Sequence, residues 1–122
     1  MKNLKILLVD DEEKFISALA DRLRLRGFIV TTELDGEDAI EKIETESFDV
    51  MVVDLLMPRM GGIELLKRIK CSGIDTPVIL LTGHGSSKEG IQGMKLGAYD
   101  YLMKPIAFEE LLDKLYKASS AN

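Results

Sequence analysis

The sequence predicts an α/β protein in which a doubly wound sheet of five parallel strands is covered by five helices. Short apolar segments alternate with segments whose apolar residues recur at helical spacing. Most of the strand-like segments are apolar throughout, which is typical of parallel strands that are buried on both faces. Strict alternation of strand and helix favours a parallel sheet. The connections between parallel strands are right-handed, and they place helices on both faces of the sheet.

Ten segments follow one another in the order that this fold requires. The strands are predicted at residues 5–10, 28–33, 48–54, 77–82 and 99–104. The helices are predicted at residues 12–26, 35–44, 61–70, 87–96 and 107–118. Gly27 is the expected C-terminal cap of the first helix. Gly90 and Gly93 weaken the fourth helix, so that they indicate either an element that moves or a site of close packing.

Length and composition indicate one globular domain. The chain has 122 residues, of which 46% are hydrophobic and 30% are charged. We expect the domain to span residues 1–118, with residues 119–122 as a polar tail or the start of a linker. The net charge is −5 and basic residues form no run, so direct nucleic-acid binding by this segment is not expected. Cys71 is the only cysteine, and therefore no internal disulfide can form.

The apolar segments are also too short to span a bilayer. The first apolar run ends in the acidic stretch DDEE, which does not resemble the cleavage region of a signal peptide. We therefore expect a cytoplasmic protein without a membrane partner.

Polar side chains stand at the carboxyl ends of four predicted strands. Asp10 and Asp11 follow the first strand, Asp54 ends the third, Thr82 the fourth and Lys104 the fifth. The carboxyl ends of strands in a doubly wound sheet meet at one edge, where ligands bind. We therefore expect these five side chains to converge.

Three neighbouring carboxylates require positive charge, because they repel one another when all are ionised. Oxygen ligands select a hard cation, and Mg²⁺ commonly binds one or two carboxylates, water and a phosphate oxygen. Lys104 adds a second positive charge. The predicted site therefore suits a phosphoryl group, with a carboxylate available as nucleophile.

Each of these residues also has an ordinary structural interpretation. Asp10 or Asp11 could cap the first helix, Asp54 could cap a turn, and Thr82 could be a β-branched strand residue. Lys104 could be a solvated loop residue. Their occurrence together at successive strand ends favours a functional site over four separate coincidences.

The motifs LLVDDEE, VVDLLMPRMGG, ILLTGHG and GAYDYLMKP occur in this order along the chain. Together they resemble the receiver domain of bacterial two-component response regulators, and the resemblance covers essentially the whole chain. It implies a flavodoxin-like fold and a phosphoacceptor signalling domain rather than an ordinary enzyme. It also implies self-phosphorylation from small phosphodonors and self-dephosphorylation, both dependent on Mg²⁺, with Mn²⁺ as a substitute.

The resemblance further implies roles for single residues. Asp54 matches the aspartate that accepts a phosphoryl group from a sensor histidine kinase or a histidine phosphotransfer protein. Asp11 matches a direct Mg²⁺ ligand and Asp10 a ligand through water, with Asp54 and the backbone carbonyl of Leu56 completing the protein ligands. Lys104 matches the lysine that binds the phosphoryl oxygens.

The family pattern also implies a conformational switch. Thr82 matches the switch hydroxyl and Tyr101 the switch aromatic residue, while the Lys104–Pro105 peptide bond is expected to be cis. Phosphorylation would then alter the face formed by the fourth helix, the fifth strand and the fifth helix. This face would control an output domain or partner, transcription being the expected output, and could support a homodimer.

Leu56 and His84 flank the expected path of an attacking water. Leu56 cannot orient a water and is expected to shield the phosphoryl group, whereas a lone loop histidine is more often only solvated.

Three other functions remain open from the sequence. A small aspartate-nucleophile phosphohydrolase would usually carry a second acid at position 56, where this chain has Leu56. A flavin-binding electron carrier would need a phosphate-binding loop in place of DDEEK. A docking receiver that is never phosphorylated would not need the acidic pair, Asp54, Thr82 and Lys104 together.

Overall fold

The computed structural model describes residues 3–83 and 87–120, and it contains five strands and five helices in alternation. The strands are β1 (Lys5–Val9), β2 (Ile29–Glu33), β3 (Val50–Asp54), β4 (Val78–Thr82) and β5 (Asp100–Met103). The helices are α1 (Glu13–Leu25), α2 (Gly36–Thr45), α3 (Gly62–Cys71), α4 (Ser87–Lys95) and α5 (Phe108–Ser120). Every predicted element is therefore present, and most bounds differ from the prediction by one or two residues.

All strand pairs are parallel, and the order across the sheet is β2-β1-β3-β4-β5. This is the doubly wound order in which the direction of winding reverses between β1 and β3. The prediction of a five-stranded parallel sheet is confirmed. The reversal also leaves a crevice beside the carboxyl ends of β1 and β3, which is where such folds bind ligands.

Two apolar clusters cover the two faces of the sheet. Alternate residues of β1 serve opposite faces, because Ile6 and Leu8 join one cluster whereas Leu7 and Val9 join the other. The first cluster includes buried residues of α1 and α5, and the second includes buried residues of α2 and α3. The apolar strands are therefore explained by burial on both sides.

Gly27 ends α1 as predicted. It has a φ of +93°, in the left-handed region that favours glycine. Its N–H donates to the Arg24 carbonyl at 3.0 Å, and the N–H of Phe28 donates to the Leu23 carbonyl at 3.2 Å. These two bonds form a Schellman motif, which satisfies two of the last carbonyls of the helix.

Helix α5 extends two residues beyond its predicted end at residue 118. The hydroxyls of Ser119 and Ser120 donate to the Tyr116 carbonyl at 3.0 and 2.8 Å. Both serines therefore lie within the helix, although their sequence looked like the start of a polar tail. Residues 121 and 122 lie outside the described part of the chain, so the domain boundary at 118 remains a prediction.

The glycines of α4 lie at sites of close packing. A Cβ atom on Gly93 would collide with the Cδ1 atom of Leu80 in β4. A Cβ atom on Gly90 would instead lie 3.4 Å from the Tyr101 ring, at ordinary contact distance. These contacts support the packing interpretation of Gly93, while movement of α4 remains a prediction. Across residues 3–83 and 87–120, no helix combines the length and apolar character needed to cross a membrane.

Candidate functional site

Strand register brings the predicted residues to one edge of the sheet. Val9 of β1 pairs with Val53 of β3, and therefore the next residues, Asp10 and Asp54, lie side by side. Thr82 ends β4 and pairs with Met103 of β5, so that Lys104 follows directly at the same edge. The N–H of Lys104 donates to the Thr82 carbonyl at 2.7 Å, which fixes the start of the loop after β5.

Three carboxylates meet at this edge. Asp10, Asp11 and Asp54 each offer one oxygen, and the three oxygens lie within 4.8 Å of one another. Asp10 and Asp54 are 1% and 6% exposed, whereas Asp11 faces solvent. An all-oxygen donor set with two buried acids and one exposed acid fits Mg²⁺, which keeps several water ligands. The cluster that the sequence predicted is therefore assembled.

Asp10 is held by hydrogen bonds to both of its carboxylate oxygens. Its Oδ1 atom accepts from the backbone N–H of Glu12 at 2.9 Å, and its Oδ2 atom accepts from Lys104 Nζ at 2.8 Å. The N-cap residue of α1 is Glu12, whose side chain makes no capping hydrogen bond. The alternative in which Asp10 or Asp11 caps this helix is therefore wrong.

The Asp54 carboxylate is electrostatically unfavourable when ionised. Burial raises its pKa from 3.8 to about 6, and the negative charge of Asp10 acts in the same direction. Lys104 and a hydrogen bond from the Leu56 backbone N–H lower the pKa, but they do not offset desolvation. The site therefore has unbalanced negative charge around Asp54, which a cation would stabilise.

Lys104 places an ammonium group among these acids. Its Nζ atom lies 2.8 Å from Asp10 Oδ2, 2.9 Å from Glu12 Oε1 and 3.7 Å from Asp54 Oδ1. It also lies 4.6 Å from the centroid of the Phe15 ring. Burial disfavours the ammonium, but the hydrogen bonds to Asp10 and Glu12 outweigh that effect and raise the pKa of Lys104. The residue is therefore a permanent cation.

Two of these neighbours did not emerge from the sequence as site residues. Glu12 looked like an acid that favours the start of a helix, and Phe15 looked like part of the apolar face of α1. Both reach Lys104 only because the carboxyl ends of β5 and β1 lie at the same end of the parallel sheet. No local sequence pattern carries that information.

The Lys104–Pro105 peptide bond is cis, as the family resemblance implied. It lies where the chain leaves β5 and turns towards α5. The Lys104 side chain points back over the end of the sheet to Asp10.

The two switch candidates lie on β4 and β5, the two strands that follow β3 across the sheet. Thr82 is 1% exposed, and its hydroxyl is directed at the Leu102 carbonyl at a long distance of 3.5 Å. Tyr101 is half-buried, packs against the second apolar cluster and faces Gly90 of α4. Its position is therefore intermediate between the exposed and buried rotamers expected of a switch residue.

The loop after Asp54 is compact and closely packed. Arg59 has a φ of +67°, and the Met60 N–H donates to the Pro58 carbonyl at 2.7 Å, which forms a γ-turn. A Cβ atom on Gly62 would lie 2.7 Å from the Asp54 carbonyl oxygen. Only glycine lets the start of α3 approach the backbone that carries Asp54 so closely.

An open cleft of about 710 Å³ leads to the acidic cluster. Leu56 lines it with a side chain that is 66% exposed. His84, the other predicted neighbour of the water path, lies outside the described residues. The cleft is lined by Asp11, Glu12, Phe15, Asp54, Leu56, Gly83, Lys104, Pro105 and Ile106.

The comparisons with known proteins agree with this geometry. The family model described as "Response regulator receiver domain" matches residues 6–116. The chain belongs to this family. Structures of receiver domains superpose closely on it: the receiver domain of the Francisella response regulator 1452 is 35% identical, with a TM-score of 0.92 and 98% of each chain covered. The structure named FixJ-N is 33% identical with a TM-score of 0.93, over 98% of this receiver domain and 96% of that chain.

Curated relatives of this receiver domain are longer proteins. The transcriptional regulatory protein DltR of Streptococcus agalactiae is 34% identical over 92% of this chain and 50% of its own length. The alkaline phosphatase synthesis transcriptional regulatory protein PhoP of Bacillus subtilis is 38% identical over 89% of this chain and 45% of its own length. This receiver domain therefore spans about half the length of the curated relatives that it matches.

Proposed function

We propose that Asp54 accepts a phosphoryl group from a phosphohistidine of a sensor histidine kinase or histidine phosphotransfer protein, with Mg²⁺ bound beside it. The single observation that carries this proposal is the position of the Asp54 carboxylate. It lines an open cleft, with the carboxylates of Asp10 and Asp11 within 4.8 Å and the Lys104 ammonium at 3.7 Å. A carboxylate so placed is accessible to a phosphodonor and has the groups that stabilise the transferred charge.

Asp10, Asp11 and Asp54 would hold the Mg²⁺, together with the backbone carbonyl of Leu56. Asp11 would bind directly, and Asp10, whose oxygens already accept two hydrogen bonds, would bind through water. The bound ion would neutralise the carboxylates and the phosphoryl oxygens. Mn²⁺ has the same preference for oxygen ligands and would substitute.

In the transfer, a carboxylate oxygen of Asp54 attacks the phosphorus atom. A new O–P bond forms while the P–N bond to the donor histidine breaks, and the electron pair returns to the imidazole. The Lys104 ammonium stabilises the oxygens that carry charge during this in-line displacement. Proper orientation of Asp54 depends on the Leu56 N–H, which hydrogen-bonds its carboxylate.

Phosphorylation would be transmitted through Thr82 and Tyr101. The Thr82 hydroxyl, weakly held by the Leu102 carbonyl, would instead donate to the phosphoryl group. The space that it vacates would admit the half-buried Tyr101 ring and shift the population of the α4–β5–α5 face. That face would control an output domain, a partner or a homodimer in the cytoplasm, with transcription as the output.

The test is intact mass after incubation with acetyl phosphate, with and without Mg²⁺. Asp54→Asn removes the nucleophile, and Asp113→Asn, on the exposed side of α5, is the matched control. We expect a gain of one phosphoryl group that requires Mg²⁺, occurs in the control and is absent in Asp54→Asn. No gain in the folded wild type would contradict the proposal and favour a docking receiver. Rapid consumption of acetyl phosphate without accumulation would favour a phosphohydrolase.

A further inference from the structure

We infer that Glu12 is a positioning residue that holds the Lys104 ammonium away from the phosphoryl position on Asp54. The inference rests on the proposed phosphorylation of Asp54 and adds a residue to that site. Within residues 3–83 and 87–120, the Glu12 side chain makes no hydrogen bond or ion pair with Asp10, Asp11 or Asp54. Its described polar contact is with Lys104.

The ammonium group of Lys104 is hydrogen-bonded to Asp10 and Glu12 and not to the proposed nucleophile, Asp54. Its hydrogen bonds to Asp10 Oδ2 and Glu12 Oε1 measure 2.8 and 2.9 Å. The distance to Asp54 Oδ1 is 3.7 Å, which is beyond hydrogen-bond range. An ammonium has three donors, and two of them are therefore directed away from the place where a phosphoryl group would stand.

A phosphoryl group on Asp54 would compete for these donors. Its oxygens carry more charge than the carboxylate of Asp54, and Lys104 must approach to bind them. Among the described residues the third donor is free, but the two present hydrogen bonds fix the position of Nζ, so that a movement towards Asp54 lengthens at least one of them. Asp10 is buried and its bond to Lys104 is shielded from water, whereas the Glu12 side chain is 63% exposed. The Glu12 bond is consequently the weaker one and is the bond that opens.

Phe15 limits where the freed ammonium can go. The centroid of its ring lies 4.6 Å from Lys104 Nζ. Phe15 belongs to α1 and lies about one helical turn after Glu12. The ring closes one side of the ammonium, and Asp10 holds another. An ammonium released from Glu12 therefore moves towards Asp54. Loss of the Glu12 charge should therefore favour anion binding at Asp54, because it removes the contact that holds the Lys104 ammonium away.

The test compares Glu12→Gln with Glu13→Gln. Both variants remove one negative charge from the start of α1, but Glu13 is exposed and only Glu12 contacts Lys104. The probe is beryllofluoride, a phosphoryl mimic, titrated at saturating Mg²⁺ and followed by backbone amide NMR shifts. We expect Glu12→Gln to bind about two- to fivefold more tightly than wild type, as is typical of one exposed ion pair, and Glu13→Gln to match wild type.

The possible outcomes separate the two claims. Equal tightening in both variants would show a general charge effect and overturn the role of Glu12. Unchanged or weaker binding in Glu12→Gln would also overturn the role of Glu12. Tighter binding cannot result from a damaged fold, because misfolding only weakens binding. Failure of the wild type to bind beryllofluoride at Asp54 would instead contradict the proposed phosphorylation itself. Thermal unfolding of all three proteins checks that each is folded.

Discussion

Asp54 Oδ1 and Lys104 Nζ lie 3.7 Å apart, close enough for an ion pair but too far for a hydrogen bond. The charge of Lys104 therefore lowers the pKa of Asp54 without overcoming its burial. This one relationship explains why the proposed nucleophile has a raised pKa although a permanent cation stands beside it. If Asp54 is phosphorylated as proposed, an oxygen of the phosphoryl group could accept the hydrogen bond from Lys104 that the carboxylate does not accept.

The first prediction concerns the cost of the Asp54 charge. Its pKa is raised from 3.8 to about 6, so the folded protein binds more protons than the unfolded chain between these values. The contribution of Asp54 to the free energy of unfolding should fall as pH rises through this window, by up to about 3 kcal/mol in total. Asp54→Asn should therefore be more stable than wild type at neutral pH, by up to about 3 kcal/mol.

Urea unfolding in EDTA, measured from pH 4 to pH 8, checks this prediction. Asp113→Asn serves as the control, because its carboxylate is exposed on α5. Relative to Asp54→Asn, both the wild type and the control should lose stability between pH 4 and pH 6. Lower stability of Asp54→Asn at neutral pH would be inconsistent with a destabilising buried charge.

The second prediction uses the two glycines of α4 as a pair. Gly90→Ala should stabilise the protein by up to about 1 kcal/mol, because alanine favours the helix and its Cβ fits against Tyr101 at 3.4 Å. Gly93→Ala should instead destabilise it by about 1–3 kcal/mol, since the new methyl group collides with Leu80 in the core. Urea midpoints of the two variants give the signs. Two changes of the same sign would contradict the packing described for this helix.

The third prediction concerns the start of α3. Gly62→Ala should lower stability by about 2–3 kcal/mol, because a Cβ atom would lie 2.7 Å from the Asp54 carbonyl oxygen and 2.9 Å from Leu55 Cα. The backbone of Asp54 would shift, and phosphorylation by acetyl phosphate should slow. Gly83→Ala is the control for stability, since an added Cβ there has no neighbour within 4 Å in the part of the chain that is described. A fully stable Gly62→Ala protein would refute the close approach.

The fourth prediction separates phosphorylation from switching. Thr82→Val keeps the shape of this buried side chain and removes a hydroxyl whose only described contact is 3.5 Å long. Stability should change by less than about 1 kcal/mol, and intact mass should still show one phosphoryl group. The NMR shifts of Tyr101 on addition of beryllofluoride should be strongly reduced. A full Tyr101 response in this variant would remove Thr82 from the proposed switch.

The fifth prediction concerns Leu56 at the mouth of the cleft. Its apolar side chain is 66% exposed and cannot hydrogen-bond a water molecule. Leu56→Asn should accelerate loss of the phosphoryl group severalfold, because an amide can orient an attacking water. The decay of phosphorylated protein, followed by intact mass, measures the change. Leu56→Met is the apolar control and should lose the phosphoryl group at the wild-type rate. Faster loss in that variant would show that easier access of water, and not its orientation by an amide, causes the acceleration.

The sequence predicted the fold because each local pattern agreed with the global one. β3, for example, is apolar up to Asp54, and burial of all five of its residues explains the pattern. The ends of the helices were predicted less well. Helix α5 extends to Ser120, and serine is common in polar tails as well as near helix ends, so that the local sequence did not mark this end.

The residues of the candidate site could be predicted from the sequence, but the contacts between their side chains could not. The positions of Asp10, Asp54, Thr82 and Lys104 follow from strand ends, which the sequence marks clearly. The pairing of Lys104 with Glu12, and its distance from Asp54, depend on rotamers and on the path of the chain after β5. Such contacts between distant parts of the sequence leave no periodic signal.

Asp10 and Lys104 are separated by 94 positions in sequence, and yet their side chains are joined by a hydrogen bond of 2.8 Å. During synthesis, the three acids therefore emerge from the ribosome long before the cation that accompanies them. A chain cut short before β5 would carry the acids without that cation and without one of the two edge strands of the sheet. The proposed phosphoryl site would therefore be complete only in a chain that includes β5 and Lys104.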